Sequence, residues 1–179
     1  LDAVEIGCLR LALSSRDEDV ILRAADAVRE VAHARDVAVL IESHVAFVAR
    51  LGLDGVHLTD AARAVRAVRK DLGPDAIIGA FCGTLRHDGM TAGEYGADYV
   101  SFGPVGASAL GDGRIAPLDL FQWWSEMIEV PVVAEGHLDA ALIRALSPHA
   151  DFIALGAEVW GADDPVPVLK ALAAARIQR

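Results

Sequence analysis

Nine side chains that could move protons, bind anions or hold a metal sit at or just beyond the ends of apolar runs: Arg10, Glu42, His44, His57, Asp60, His87, Asp88, Glu135 and His137. Where parallel strands end together, such residues converge on one mouth. Two readings of that convergence stand side by side. Imidazole and carboxylate ligands from His44, Glu42, His57 and Glu135 would suit Zn²⁺ or Mn²⁺ and hydrolytic chemistry, although no recognised ligand spacing links them. Alternatively the mouth is simply polar, with Arg10 paired to Glu42 or Glu135 and the histidines hydrogen-bonded or solvated. Cys82 has His87 nearby in sequence, as a nucleophile would need, but a strand cysteine flanked by Phe81 reads as inert.

These side chains are positioned by a repeating pattern. Apolar, branched runs at residues 4–13, 37–41, 56–59, 76–82, 97–102, 130–136 and 151–156 read as strands. Between them lie helical spacings: from a Ser14-Ser15 cap to Arg35, a short helix to Arg50, from an Asp60 cap to Leu72, then 84–94, 117–128 and 139–146, with a closing helix over 165–177. In the third of these, Arg63, Arg66, Arg69 and Lys70 are expected to face solvent. Phe121 and Trp124, three apart, read as core anchors. Alternating strands and helices predict a parallel sheet covered by helices, in one α/β domain spanning 1–179. A TIM (β/α)8 barrel needs eight strands, so one is expected to be missing at the N-terminus, where the chain starts at Leu1 without a methionine. A doubly wound open sheet is the alternative, but no glycine-rich dinucleotide fingerprint follows the first strand.

Composition narrows the partners. The chain has 179 residues, 54% of them hydrophobic, and a net charge of -10, which disfavours nucleic acid because counterion release needs a basic field. No apolar run approaches a membrane span and no signal peptide is visible. Cys8 and Cys82 lie inside strand-like runs and read as small buried hydrophobes in a reducing, cytoplasmic setting.

Five segments have a familiar order and spacing: Gly55-Val56-His57-Leu58, Ala76-Ile77-Ile78-Gly79, residues 96–104 (GADYVSFGP), Val130-Pro131-Val132-Val133-Ala134 and Ala150-Asp151-Phe152-Ile153-Ala154. From about Arg10 to about Pro165 the chain resembles the thiamine phosphate synthase/TenI family of compact (β/α)8 barrels. That resemblance implies a transferase of thiamine biosynthesis, joining hydroxymethylpyrimidine diphosphate to thiazole phosphate with Mg²⁺ on acidic residues. It also implies a phosphorylated small-molecule ligand and, since barrels of this family commonly pair, a homodimer. Carried over, Arg10 falls on a diphosphate-binding arginine, and His57 and Gly136 fit the pattern. Glu42 and Asp60 are the residues left for a metal. Ser108, Gly111, Gly136, His137 and Gly156 are the ones left for phosphate, and Arg10, Glu42, His57, Asp60 and Glu135 for catalysis.

Several family positions carry other residues. The basic partner two residues after the arginine falls on Ala12, and the Asn-Asp pair ending the next strand on Glu42-Ser43. Gly-Gln-Glu-Asp after His57-Leu58 falls on Thr59-Asp60-Ala61-Ala62, and a serine falls on Phe81. The threonine- and lysine-bearing phosphate loop falls on Ser108-Ala109-Leu110-Gly111, and the Gly-Gly pair is Gly136-His137, preceded by Glu135. A carboxylate such as Glu135 or Glu158 at ~5 Å from a bound phosphate would repel it by roughly 3 kcal/mol per charge pair at an effective dielectric near 20. Three classes therefore stay open: the family reaction with substituted residues, another small-molecule reaction at a diverged mouth, and a non-catalytic ligand-binding barrel.

Overall fold

Near-continuous apolar runs separated by helical periods demand strands buried on both faces. The computed structural model has this arrangement and describes residues 1–13, 15 and 17–176. Its elements alternate: β1 (Cys8–Leu11), α1 (Glu18–His33), β2 (Ala38–Glu42), α2 (Val45–Leu51), β3 (Gly55–Leu58), α3 (Val65–Leu72), β4 (Ile77–Phe81) and α4 (Arg86–Glu94). Then come β5 (Tyr99–Phe102), α5 (Leu118–Met127), β6 (Val132–Glu135), α6 (Ala140–Leu146), β7 (Phe152–Ala154), α7 (Ala157–Trp160) and α8 (Pro165–Ala174).

The strands form one seven-stranded sheet in the order β1-β2-β3-β4-β5-β6-β7, each neighbour parallel, as in β1–β2 and β6–β7. The sheet curls, because Arg10 of β1 reaches across to Glu135 of β6. Seven strands are seen, one for each apolar run; no eighth is among the described residues, and β1 and β7 are edges. One expectation is corrected. Cys8 is exposed, not buried, because it lies on an edge strand. Phe152 on the other edge is likewise 49% exposed.

Side chains alternate along each strand, so the sheet has two faces with different contents. Val39, Ile41, Val56, Ile78, Ala80, Val100, Phe102, Val132 and Ala134 pack with the helices in the main apolar core. Phe121 and Trp124 of α5 anchor it as expected, at 0% and 1% exposure, with Phe102 edge-on to both rings. The opposite face of the strands carries the polar residues described below.

Register is pinned by one device used three times. An aspartate just before a strand donates its own amide to the carbonyl of the preceding strand, and its carboxylate accepts from the amide of that same residue. Asp54 does this with Val39, Asp98 with Ile78 and Asp151 with Val132. Arg69 braces the middle pair. Expected to face solvent, it instead donates to the carbonyls of Gly96, Gly73 and Ala76 and pairs with Asp98. Arg63, Arg66 and Lys70 are exposed as expected, and Arg66 lies over the Tyr95 ring.

Two helix starts differ from expectation. The cap of α1 is Asp17, which accepts from the amides of Asp19 and Val20; Ser15 instead accepts from the Asp17 amide, and Ser14 lies outside the described residues. Asp60 does not cap α3, which begins only at Val65 after a turn containing Ala61 at φ 57°. The closing helix ends by Ala174, and Ile177 lies outside the described residues. The helix expected over 139–146 is α6, and Asp139 caps it through the amides of Ala141 and Leu142.

The aspartate device is testable at its braced copy. Asp98→Ala leaves the buried Ile78 amide without its partner and frees Arg69, so urea unfolding should show a loss of about 2 kcal/mol, with Asp98→Asn losing less.

Candidate functional site

Partners in register have side chains on the same face of a sheet. Glu42 pairs with His57, His57 with Gly79, and Gly79 with Tyr99. These four residues therefore form one row across β2, β3, β4 and β5, on the inner face of the curl. Gly79 is the gap in that row. A Cβ there would come within 2.1 Å of the Tyr99 ring, so its absence lets tyrosine lie across β4 and reach β3. The Tyr99 hydroxyl meets His57 Nδ1 at 2.8 Å, and the rings stack with centroids 5.7 Å apart.

Arg10 enters from β1 and joins both carboxylates. Its Nε lies 3.2 Å from Glu42 Oε1, its Nη1 3.0 Å from His57 Nε2, and its Nη2 donates to Glu135 Oε2. The other Glu135 oxygen accepts from Ser101 Oγ. The polar reading of the mouth, with Arg10 paired to a glutamate, is thus realised with Glu42 and Glu135 at once.

The tautomer of His57 follows from its neighbours. Guanidinium can only donate, so Nε2 must be the unprotonated acceptor and the proton sits on Nδ1, directed at the Tyr99 oxygen. Burial, and then the charge of Arg10, push the His57 pKa down to about 4, against a smaller opposing pull from Glu135. Burial alone would raise Glu135, but Arg10, His57 and Ser101 outweigh it and hold the carboxyl below the usual range. Glu42 is shifted the other way, upward, by burial and by Glu135 against the pull of Arg10. Tyr99 is raised by burial.

The remaining candidates lie elsewhere on the mouth. Asp60 is exposed on the rim, where with Thr59, Phe81, Thr84, Asp88 and Arg114 it lines a shallow hollow of about 300 Å³. Gly111, at φ 61°, sits over Phe81, and Leu110 packs towards Gly136. His137 is exposed, and Gly156 is half-buried at the start of α7. One oxygen of Glu158, two residues on, is buried without a partner. The Ser108 hydroxyl accepts from the Leu110 amide within its own loop, and Arg114 is paired with Asp112.

His44 bonds back to the Glu42 carbonyl and stacks on Phe47. His87 is exposed. Cys82 is buried, donates to the Ala80 carbonyl, and burial pushes its pKa up to about 12. A thiol that stays protonated at neutral pH is inert, as its place in an apolar run beside Phe81 led one to expect.

Among the described residues no group of three or more His, Cys, Asp or Glu side chains could hold a metal ion. The proposed His44, Glu42, His57 and Glu135 cluster is not assembled: His57 uses both ring nitrogens on Arg10 and Tyr99, and Glu135 both oxygens on Arg10 and Ser101. Glu42 is bound to Arg10 and Asp60 stands on the rim. These donors do not fit a metal held by the protein alone. Tyr99 and Ser101 are the members of the network not singled out from sequence. Their signal was two polar side chains, two residues apart, on one face of an otherwise apolar strand.

A curled parallel sheet with helices around it and polar residues gathered at one end of the strands is the architecture of the (β/α)-barrel class. Residues 3–159 match the family described as thiamine monophosphate synthase, and the chain belongs to the thiamine phosphate synthase/TenI family. It is 38% identical over 162 residues to the thiamine-phosphate synthase of Rhodospirillum centenum, covering 89% of this chain and 78% of that one. With the thiamine-phosphate synthase of Erythrobacter litoralis the figures are 37%, 85% and 73%. The thiamine phosphate pyrophosphorylase structure from Pyrococcus furiosus superposes with a TM-score of 0.85 at 22% identity, over 94% of this chain and 82% of the other. The latter likeness supports the fold.

The shifted histidine has a measurable consequence. Above the unfolded value near 6.5 both states hold His57 neutral; between 6.5 and about 4 only the unfolded chain takes up the proton. Stability contributed by keeping this imidazole neutral is therefore present above pH 6.5 and lost as pH falls towards 4, by up to roughly 3 kcal/mol. Nitrogen-edge NMR should show His57 as the neutral Nδ1–H tautomer at pH 6, where an exposed histidine is largely protonated.

Proposed function

We propose that the protein binds the phosphorylated small molecules of thiamine phosphate metabolism at this mouth, in the cytoplasm, and joins the pyrimidine diphosphate to the thiazole phosphate only slowly. Family membership and two relatives named thiamine-phosphate synthase support the ligand class. One observation supports the slow reaction: among the described residues, the loop after β5 offers the mouth no unpaired cation. Val105 and Gly106 donate their amides to the Gly136 carbonyl, Ser108 serves Leu110, and Arg114 is exposed and tied to Asp112.

Diphosphate transfer is positioning and charge neutralisation, so each missing donor weighs on the rate. Removal of one donor aimed at transition-state charge lowers kcat by ~10²–10³. In that reading the leaving diphosphate competes with Glu42 and Glu135 for Arg10, Asp60 lies beside it on the rim, and Gly111, Gly136, His137 and Gly156 line the backbone that faces the second phosphate. A second reading, an acid–base reaction on another small molecule, is favoured by Glu42. It is half-exposed, has a raised pKa, and has one oxygen with no protein partner among the described residues.

The direct assay mixes hydroxymethylpyrimidine diphosphate, thiazole phosphate and Mg²⁺ and measures thiamine phosphate. Turnover below about 0.1 s⁻¹ is expected, against ~10 s⁻¹ for a median enzyme. Turnover of several per second would sink the slow-reaction reading and restore the substituted loop as a working phosphate site.

A further inference from the structure

Charge is unevenly distributed in the inner network. One guanidinium faces two carboxylates, and the histidine among them is neutral because Arg10 occupies its Nε2. With one guanidinium, a neutral imidazole and two carboxylates, the Arg10–Glu42–Glu135–His57 cluster carries a net charge of -1 whenever both glutamates are ionised. Glu135 is only 3% exposed and is fixed by Ser101 as well as Arg10. Arg10 and Glu42 are the partly open members, with side chains 24% and 26% exposed. An entering ligand meets a guanidinium already committed on three of its nitrogens, beside a Glu42 oxygen that has no partner among the described residues. Phe81 and Leu110 on the surrounding wall add nothing that would screen these charges.

We propose that Glu135 is the charge-selecting residue of the mouth: by holding Arg10 from within the curl, it turns a position suited to anions into one that disfavours them. A ligand would then place an uncharged, amino-bearing or cationic group next to Arg10 and Glu42, and its phosphate, if it has one, further out on the rim. Glu135 acts through Arg10 and is a positioning residue. The inference rests on the mouth being the ligand site, as proposed above, but does not depend on the rate of the family reaction.

Calorimetric titration with inorganic diphosphate, without added metal, separates the possibilities. Wild-type protein is expected to bind it weakly, and Glu135→Gln about tenfold or more tightly, because one negative charge is removed beside the guanidinium. Arg10→Gln in the Glu135→Gln background should abolish the gain. A gain of affinity that depends on Arg10 is something a merely structural role for Glu135 would not produce. Thermal melting checks that the variants fold. If Glu135→Gln does not, Glu135→Leu removes the same charge with an apolar side chain suited to the buried position, and the same Arg10-dependent gain is expected. Folded variants that bind diphosphate no better than wild type, or a wild type that already binds it as tightly as they do, would overturn the proposal. Brisk thiamine phosphate formation by wild type would instead overturn the slow-reaction reading alone.

Discussion

A guanidinium inside a sheet made of apolar strands has to be compensated, and much of this molecule's inner face follows from that one requirement. Arg10 draws Glu135 into near-complete burial, and the desolvation of two charges is tolerable only if further hydrogen bonds satisfy what remains. Ser101 takes the second oxygen of Glu135. His57 accepts from Arg10 and must then place its own proton, which brings in the Tyr99 hydroxyl. Tyr99 can arrive only because Gly79 leaves its place in the row empty. Five strands, β1, β2, β3, β5 and β6, are thereby linked through one connected set of polar groups, with β4 supplying the gap. Its worth to stability is limited, since a buried ion pair often does no better than an apolar replacement. Its effect is to fix where each side chain lies.

Stability and site occupy different parts of the same strands. The helix-facing residues form the large apolar core, including Trp124, Phe102 and Phe121, and their burial is the main force that holds helices on the sheet. The three aspartate latches act where strands begin, and the polar network lies towards the ends where they finish. Substitutions at the finishing end can therefore alter charge without disturbing the packing that defines the fold. This is the division that lets barrels of one family differ in chemistry.

Much of this organisation was legible in the sequence. Apolar runs gave all seven strands, and the Phe121–Trp124 spacing gave the core anchors. Arg10 with Glu42 or Glu135 was legible as a pair, because charged residues on apolar strands have few other ways to be buried. Position relative to the sheet edge was not legible: Cys8 belongs to an apolar run but is exposed because β1 is an edge of the sheet formed by the described residues. Arg69 was read as solvent-facing from helical period alone. Its true role depends on carbonyls at Gly96 and Ala76, which are near it only in three dimensions. His57 illustrates the same limit at the site. Its residue type suggests a ligand or a base, and only the placement of Arg10 on one nitrogen and Tyr99 on the other shows that neither nitrogen is free.

The loop after β5 takes its path from its glycines. Its shape depends on backbone against backbone. A Cβ at Gly103 would lie 2.3 Å from the Glu135 carbonyl oxygen, and one at Gly106 2.2 Å from that of His137. Gly136, at φ 91°, accepts the loop amides while lying against Pro104. These constraints act on the chain's path and do not depend on which side chains project from the loop. A threonine or lysine could be exchanged for Ala109 or Leu110 while the path stayed the same. Glu135 is subject to both kinds of constraint: its carbonyl accepts from Val105 and so helps hold the loop, while its carboxylate holds Arg10. Loop position and mouth charge thus meet in one residue, and a change of side chain there can reverse the second while leaving the first in place.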